Sequence, residues 1–228
     1  KTDDGETISA AEAEIEALKA TMLVRPNKLV NFFTVFYAFL CMFIMYGAQQ
    51  YTKAFGMLNA GLTEIQAAGL TSIYTVGSII AVVFWAFMMG KLRWSPLKVI
   101  LIDSVFTAFA LAIVLIVKNT IVIHIGIALL GFFAAGGALQ TGLRVRQELV
   151  PGPKGKNTGI YYTWMGFAST FLPYLVSNMT KRIGQESAIY TMMLLMLVAA
   201  FVATAMMVYL AVQYKKIFGV NPLTRQEA

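Results

Sequence analysis

The sequence predicts an all-α membrane protein with six transmembrane helices, on three observations. Hydrophobic side chains make up 58% of the chain and charged ones 13%, with a mean hydropathy of +0.70, whereas soluble domains run near a quarter charged. The apolar residues gather into six runs, at 29–51, 66–90, 96–117, 121–143, 157–180 and 187–213. Each reaches the length of about 20 residues that crosses about 30 Å of hydrocarbon at about 1.5 Å per helical residue. Lys98, Asp103 and His124 are the only charged or imidazole side chains inside these runs. Internal glycine and proline, without strict alternation, favour helices over the short strands of a membrane barrel.

Ahead of the first run, residues 7–23 pattern as a short amphipathic helix. Ser9 and Glu12 have capping-box spacing, and Ile8, Ile15, Leu18 and Met22 fall near one face. Residues 1–27 thus read as a cytoplasmic linker, packed against the bundle ends or lying on the membrane surface. Residues 28–214 form the six-helix transmembrane domain and 215–228 a cytoplasmic tail. The first run begins too late for a signal peptide. A polar start at Lys1 makes the chain read as a piece of something longer. The connections at 59–64, 91–95, 118–120, 144–156 and 181–186 are short, which makes consecutive helices antiparallel neighbours and leaves function to the bundle itself.

A net charge of +7 would suit nucleic-acid binding if it formed one patch, but its placement suits a membrane. With a cytoplasmic N-terminus, fourteen cations fall inside: Lys1, Lys19, Arg25, Lys28, Lys91, Arg93, Lys98, Arg144, Arg146, Lys154, Lys156, Lys215, Lys216 and Arg225. Lys53, Lys118, Lys181 and Arg182 fall outside. That asymmetry follows the positive-inside rule and places both termini in the cytoplasm of an integral protein of a bacterial cytoplasmic membrane, with the lipid bilayer and no nucleic acid as partner. Cys41 is the single cysteine, so neither an intrachain disulfide nor a multi-cysteine metal site is expected.

Three stretches carry a family resemblance. The turn from Gly61 to Gly69, the turn from Gly90 to Lys98, and the series Gly131, Gly136, Gly137, Glu148, Pro151, Gly155, Gly159, Gly166 and Pro173 together resemble the major facilitator superfamily. The resemblance covers about residues 27–219. It implies half of a twelve-helix fold, in which each six-helix half is built of inverted three-helix repeats and rocks about a central site. In the Gly90 turn Trp94 stands where the family commonly has an acid, and this degenerate form is similar to the C-terminal half. The implied partner is then an N-terminal six-helix half, in the same polypeptide or a separate chain. The implied activity is secondary active transport of a small solute, a sugar or organic acid first, with coupling protons as a further partner and no cofactor. Gly90, Gly159, Gly166 and Pro173 stand as structural or gating candidates, set against plain packing.

The resemblance turns the first and fourth helices toward the cavity, with the second and fifth in its walls. Tyr37, Tyr46, Gln49, Gln50, Gln140, Tyr161, Tyr162 and Trp164 are accordingly the cavity candidates. Tyr46, Gln49 and Gln50 fall at i, i+3, i+4 and form one patch. Tyr and Trp also anchor helices at membrane interfaces, which is the alternative for Tyr161, Tyr162 and Trp164. Asp103, the only acid inside a run, needs a partner or a proton. A pair with Arg144, Lys91 or Arg93 is expected there ahead of a coupling role. His124 is either a boundary histidine or a pH sensor.

Other classes fit less well. The chain lacks a G-x-S-x-G elbow and any His/carboxylate cluster, which argues against an intramembrane serine or zinc protease. Thirteen methionines and sixteen phenylalanines leave multidrug-type efflux of lipophilic compounds as an alternative, and a non-transporting membrane scaffold as another.

Overall fold

A computed structural model describes residues 3–117 and 119–224, with side chains from Glu12 onward. Lys1, Lys118 and Arg225, counted above in the charge asymmetry, lie outside the described residues. The described residues form eight α-helices and one π-helical turn: α1 (Asp3–Ala20), α2 (Lys28–Leu58), α3 (Glu64–Gly90), α4 (Pro96–Ile116), α5 (Thr120–Leu130), the π-turn (Gly131–Ala135), α6 (Ala138–Leu149), α7 (Lys154–Ile183) and α8 (Gln185–Phe218). Five helical rods are long and apolar enough to cross a bilayer, with α5, the π-turn and α6 acting as one rod from Thr120 to Leu149. Helix α7 is as long, at 30 residues, but is less apolar and falls outside that group.

The helix starts are written locally. Asn27 accepts from the Val30 amide at 2.8 Å, Thr63 and Gln66 form a reciprocal capping box, Ser95 caps α4 with Pro96 in its first turn, and Asn119 accepts from Ile121 and Val122. Each satisfies amide donors that a helix start leaves free. Helices α2 and α8 continue past their apolar runs, to Leu58 and Phe218, because backbone bonding does not stop where hydrocarbon does. Gly219, at φ 70°, ends α8 in the left-handed conformation. Ser9, expected at a helix start, lies inside α1, which runs from Asp3.

Helix α2 packs against α3, α6, α7 and α8, while α4 packs against α5, α6 and α8. Met192, Met193, Met196, Met206 and Met207 of α8 are all buried, so this part of the methionine content is packing rather than cavity lining. Helix α3 is the least covered of the rods: Val76, Ile79, Ile80, Val83 and Phe87 are exposed along it.

The contacts sort the loops into two ends. At one, the Leu23 amide donates to the Ile217 carbonyl at 2.7 Å, Ser95 donates to the Pro222 carbonyl, and Lys154 pairs with Glu14 at 2.5 Å. These tie the start of α7 to α1, the linker after α1 to the last turn of α8, and the α3–α4 turn to the segment after α8. At the other, Lys53 pairs with Glu64 at 3.1 Å and Asn59 donates to the Glu186 carbonyl at 3.2 Å.

Candidate functional site

The rod expected as one helix over 121–143 is interrupted by the π-turn. The cause lies in its glycines. A Cβ on Gly131 would sit 2.1 Å from the Tyr74 carbonyl oxygen, and one on Gly136 2.0 Å from the Ala81 Cβ. Gly77 of α3 approaches the Ala128 carbonyl in the same way, at 2.4 Å. The two rods therefore meet nearly backbone to backbone, as small residues permit in membranes, and a π-turn re-aims the residues that follow it.

Below that seam α3 and α6 part. A groove of about 360 Å³ opens between them, with Trp85 and Met89 on one wall and Gly137, Gln140, Thr141 and Arg144 on the other. Gln140 is exposed to it. Arg144 lines its end and pairs with Glu148 at 3.5 Å.

Behind the groove lies a buried polar cluster. Tyr37 and Tyr161 are 3% and 0% exposed and meet over Gly142, where an added Cβ would stand 2.3 Å from the Tyr161 hydroxyl and 3.0 Å from the Tyr37 ring. Asp103 is buried, and neither carboxylate oxygen has a hydrogen-bond partner. The pair expected with Arg144, Lys91 or Arg93 is not formed. Arg144 turns to Glu148 and Lys91 lies over the Phe87 ring. The Trp85 indole N–H, the Thr141 hydroxyl and the Tyr161 hydroxyl are also buried without partners. So many unsatisfied groups in one place are uncommon in a folded protein.

The remaining candidates lie elsewhere. Gln49 and Gln50 are exposed and Tyr46 half-buried near the end of α2 that holds Lys53. Tyr162 is exposed, and Trp164 packs edge-on against Phe36 and Phe39 at 6.3 and 6.5 Å. The run Tyr161, Tyr162, Trp164 is thus split among core, surface and an aromatic ladder. Gly90, Gly159 and Gly166 have open space around them and Pro173 is exposed. His124 bonds within its own turn, to the Thr120 carbonyl at 2.7 Å. In the sequence Arg146 is only one of the fourteen cytoplasmic-side cations. It is 2% exposed, and its Nη1 donates to the Asn31 side chain at 3.0 Å and the Thr34 hydroxyl at 2.9 Å. Among the described residues no group of His, Cys, Asp and Glu could hold a metal.

This fold is shared with a solved peptide transporter, POT, crystallised as a complex with alafosfalin. The TM-score is 0.71 over 92% of this chain and 44% of that one, at 14% identity. The chain has a major-facilitator-like membrane transporter fold. Its sequence is 30% identical over 146 residues to the inner membrane transport protein YdiM of Escherichia coli (strain K12), and 31% over 151 residues to YdiN of the same organism. It is 30% identical over 173 residues to the uncharacterized MFS-type transporter YfkL of Bacillus subtilis (strain 168). These matches take in 64%, 65% and 75% of this chain. The chain spans well under half the length of these relatives: 36%, 35% and 42%. No protein-family model matches it.

Proposed function

We propose that this chain is the C-terminal six-helix half of a major facilitator-type permease, with α7 as its fifth span, and that the whole protein carries a small polar solute by alternating access. The groove between α3 and α6 carries the reading. It is an open cleft with an amide, a guanidinium and an indole on otherwise apolar walls, the composition that suits a polar solute. A partner half, in the same polypeptide or another, would close it and cover the exposed face of α3. The inner assignment goes to the end where Lys91, Arg93, Lys154 and Lys156 lie, with both termini there, in keeping with the positive-inside rule. A sugar or organic acid is the first substrate class to try.

The test is uptake of labelled sugars and organic acids by full-length protein in vesicles, with and without an imposed proton gradient. Saturable uptake that is lost in Gln140→Leu supports the reading. If protein shown to be folded moves none of them, the substrate class is wrong. If it also fails to expel lipophilic dyes, transport itself is excluded and a scaffold is left.

A further inference from the structure

Asp103 is the only buried acidic side chain among the described residues, at 1% exposure. Structural ion pairs hold most carboxylates placed this deep; this one makes no ion pair, and the adjoining Trp85 indole N–H is not in hydrogen-bond geometry with it. It does have space. The carboxyl lines a cavity of about 20 Å³ together with Tyr37, Cys41, Ser104 and Thr107, which is room for a single water molecule.

On its other side the carboxyl reaches the groove. A Cβ on Gly137 would stand 3.4 Å from Asp103 Oδ2 and 2.6 Å from Trp85 Cδ1, so acid and indole abut at a position where no side chain intervenes. Both Trp85 and Gly137 line the groove. One indole therefore separates a buried carboxyl from an open cleft.

We propose that Asp103 is a proton-binding site that exchanges with the α3–α6 groove past Trp85 and Gly137. The step moves one proton from a hydronium ion in the groove to a carboxylate oxygen, neutralising the acid and leaving a water molecule in the groove. The surroundings select a proton over a metal cation. Facing groups from α2 are Tyr37 and Cys41, while α3, the π-turn, α6 and α8 bring no titratable or charged side chain to the cavity. Lys98, on the same helix, is stacked 3.8 Å over the Trp94 ring. The wall's oxygens are the Asp103 carboxyl and the Tyr37, Ser104 and Thr107 hydroxyls, with alanines, Cys41, Ile44 and Phe133 for the rest; one acid and about 20 Å³ of space suit a proton, which needs no shell of ligands, better than a hydrated cation. Use of the site to couple solute movement rests on the transport reading; proton binding does not.

Infrared difference spectra of the full-length protein in lipid nanodiscs, taken between acid and alkaline pH, test this directly. The expected result is a carboxylic C=O band that titrates, is lost in Asp103→Asn and has a shifted midpoint in Trp85→Phe, which keeps the acid and removes the adjoining N–H. Identical difference spectra for wild type and a folded Asp103→Asn overturn the proposal. Should Asp103→Asn fail to fold, Trp85→Phe carries the test, and an unmoved midpoint there overturns it. Solute uptake in vesicles separates the two readings. A titrating band without transport refutes the transport reading alone, and transport without the band refutes the proton site alone.

Discussion

Replacing Gly131 by alanine adds one methyl where the structure leaves none of the room it needs. The new Cβ would lie 2.1 Å from the Tyr74 carbonyl oxygen, 2.8 Å from its carbonyl carbon and 2.9 Å from its Cα. The methyl falls about 1.3 Å short of the 3.4 Å at which ordinary contact begins. The opposing atoms are backbone, so no side-chain rotation relieves them. Tyr74 is itself held, because its hydroxyl donates to the Met45 carbonyl at 3.0 Å. Helix α3 must therefore move as a body, and its other close approaches at Gly77 and Gly136 must open with it. Overpacking of this kind costs about 1–3 kcal/mol, and a fixed backbone places Gly131→Ala at the upper end, about 3 kcal/mol. At about 2–4 °C per kcal/mol for a chain of this size, the melting temperature should fall by about 6–12 °C. The assay is thermal unfolding in detergent followed by size-exclusion chromatography. Gly159→Ala is the control: nothing lies within 4 Å of its added Cβ, and the lost glycine flexibility should raise stability by about 0.4–1 kcal/mol. If Gly131→Ala melts within a degree of wild type, the close α3 seam is refuted.

Three further outcomes follow from particular contacts. Arg146→Lys keeps the charge but gives up the guanidinium whose Nη1 holds both Asn31 and Thr34, so it should cost about 1.5–3 kcal/mol in the same unfolding assay. An unchanged melting temperature would show that this link between α6 and α2 contributes nothing. Cys41 is buried and should resist maleimide in membranes until detergent denatures the protein, whereas a cysteine at the exposed Gln50 should label at once; equal labelling would refute the burial of the α2 face. For the proposed orientation, Lys156→Cys should label only from the cytoplasmic side and Glu186→Cys only from the other, and the reverse pattern would invert the topology.

Much of the fold was legible in the chain because its causes are local. Hydropathy runs placed all the long rods, and Asn27, Thr63 with Gln66, Ser95 and Asn119 marked their starts through side chains that accept from nearby amides. Ser9 showed the limit of such signals, since its spacing with Glu12 suited a cap and α1 begins six residues earlier. The site was less legible. Tyr161, Tyr162 and Trp164 are close in sequence, yet a helix turns about 100° per residue, so they point to three environments and only the neighbouring helices decide which. Arg146 looked like any cation near a helix end because its acceptors, Asn31 and Thr34, are 115 and 112 residues away. For Trp85 no local signal was present.

Sequence by itself determined that this chain partitions into a membrane, where its helices begin and turn, and how its charge is divided between the two ends. Those properties follow from transfer of side chains out of water and from backbone bonding within each helix, which need no partner. The tertiary structure decided the π-turn, the groove beneath it and the burial of Asp103. Glycines at 131, 136 and 137 permit close approach, but only the backbone of α3 arriving at Tyr74 and Ala81 turns that permission into a bend. The same approach seats Trp85 against the acid. An environment made by four helices cannot be read from any one of them.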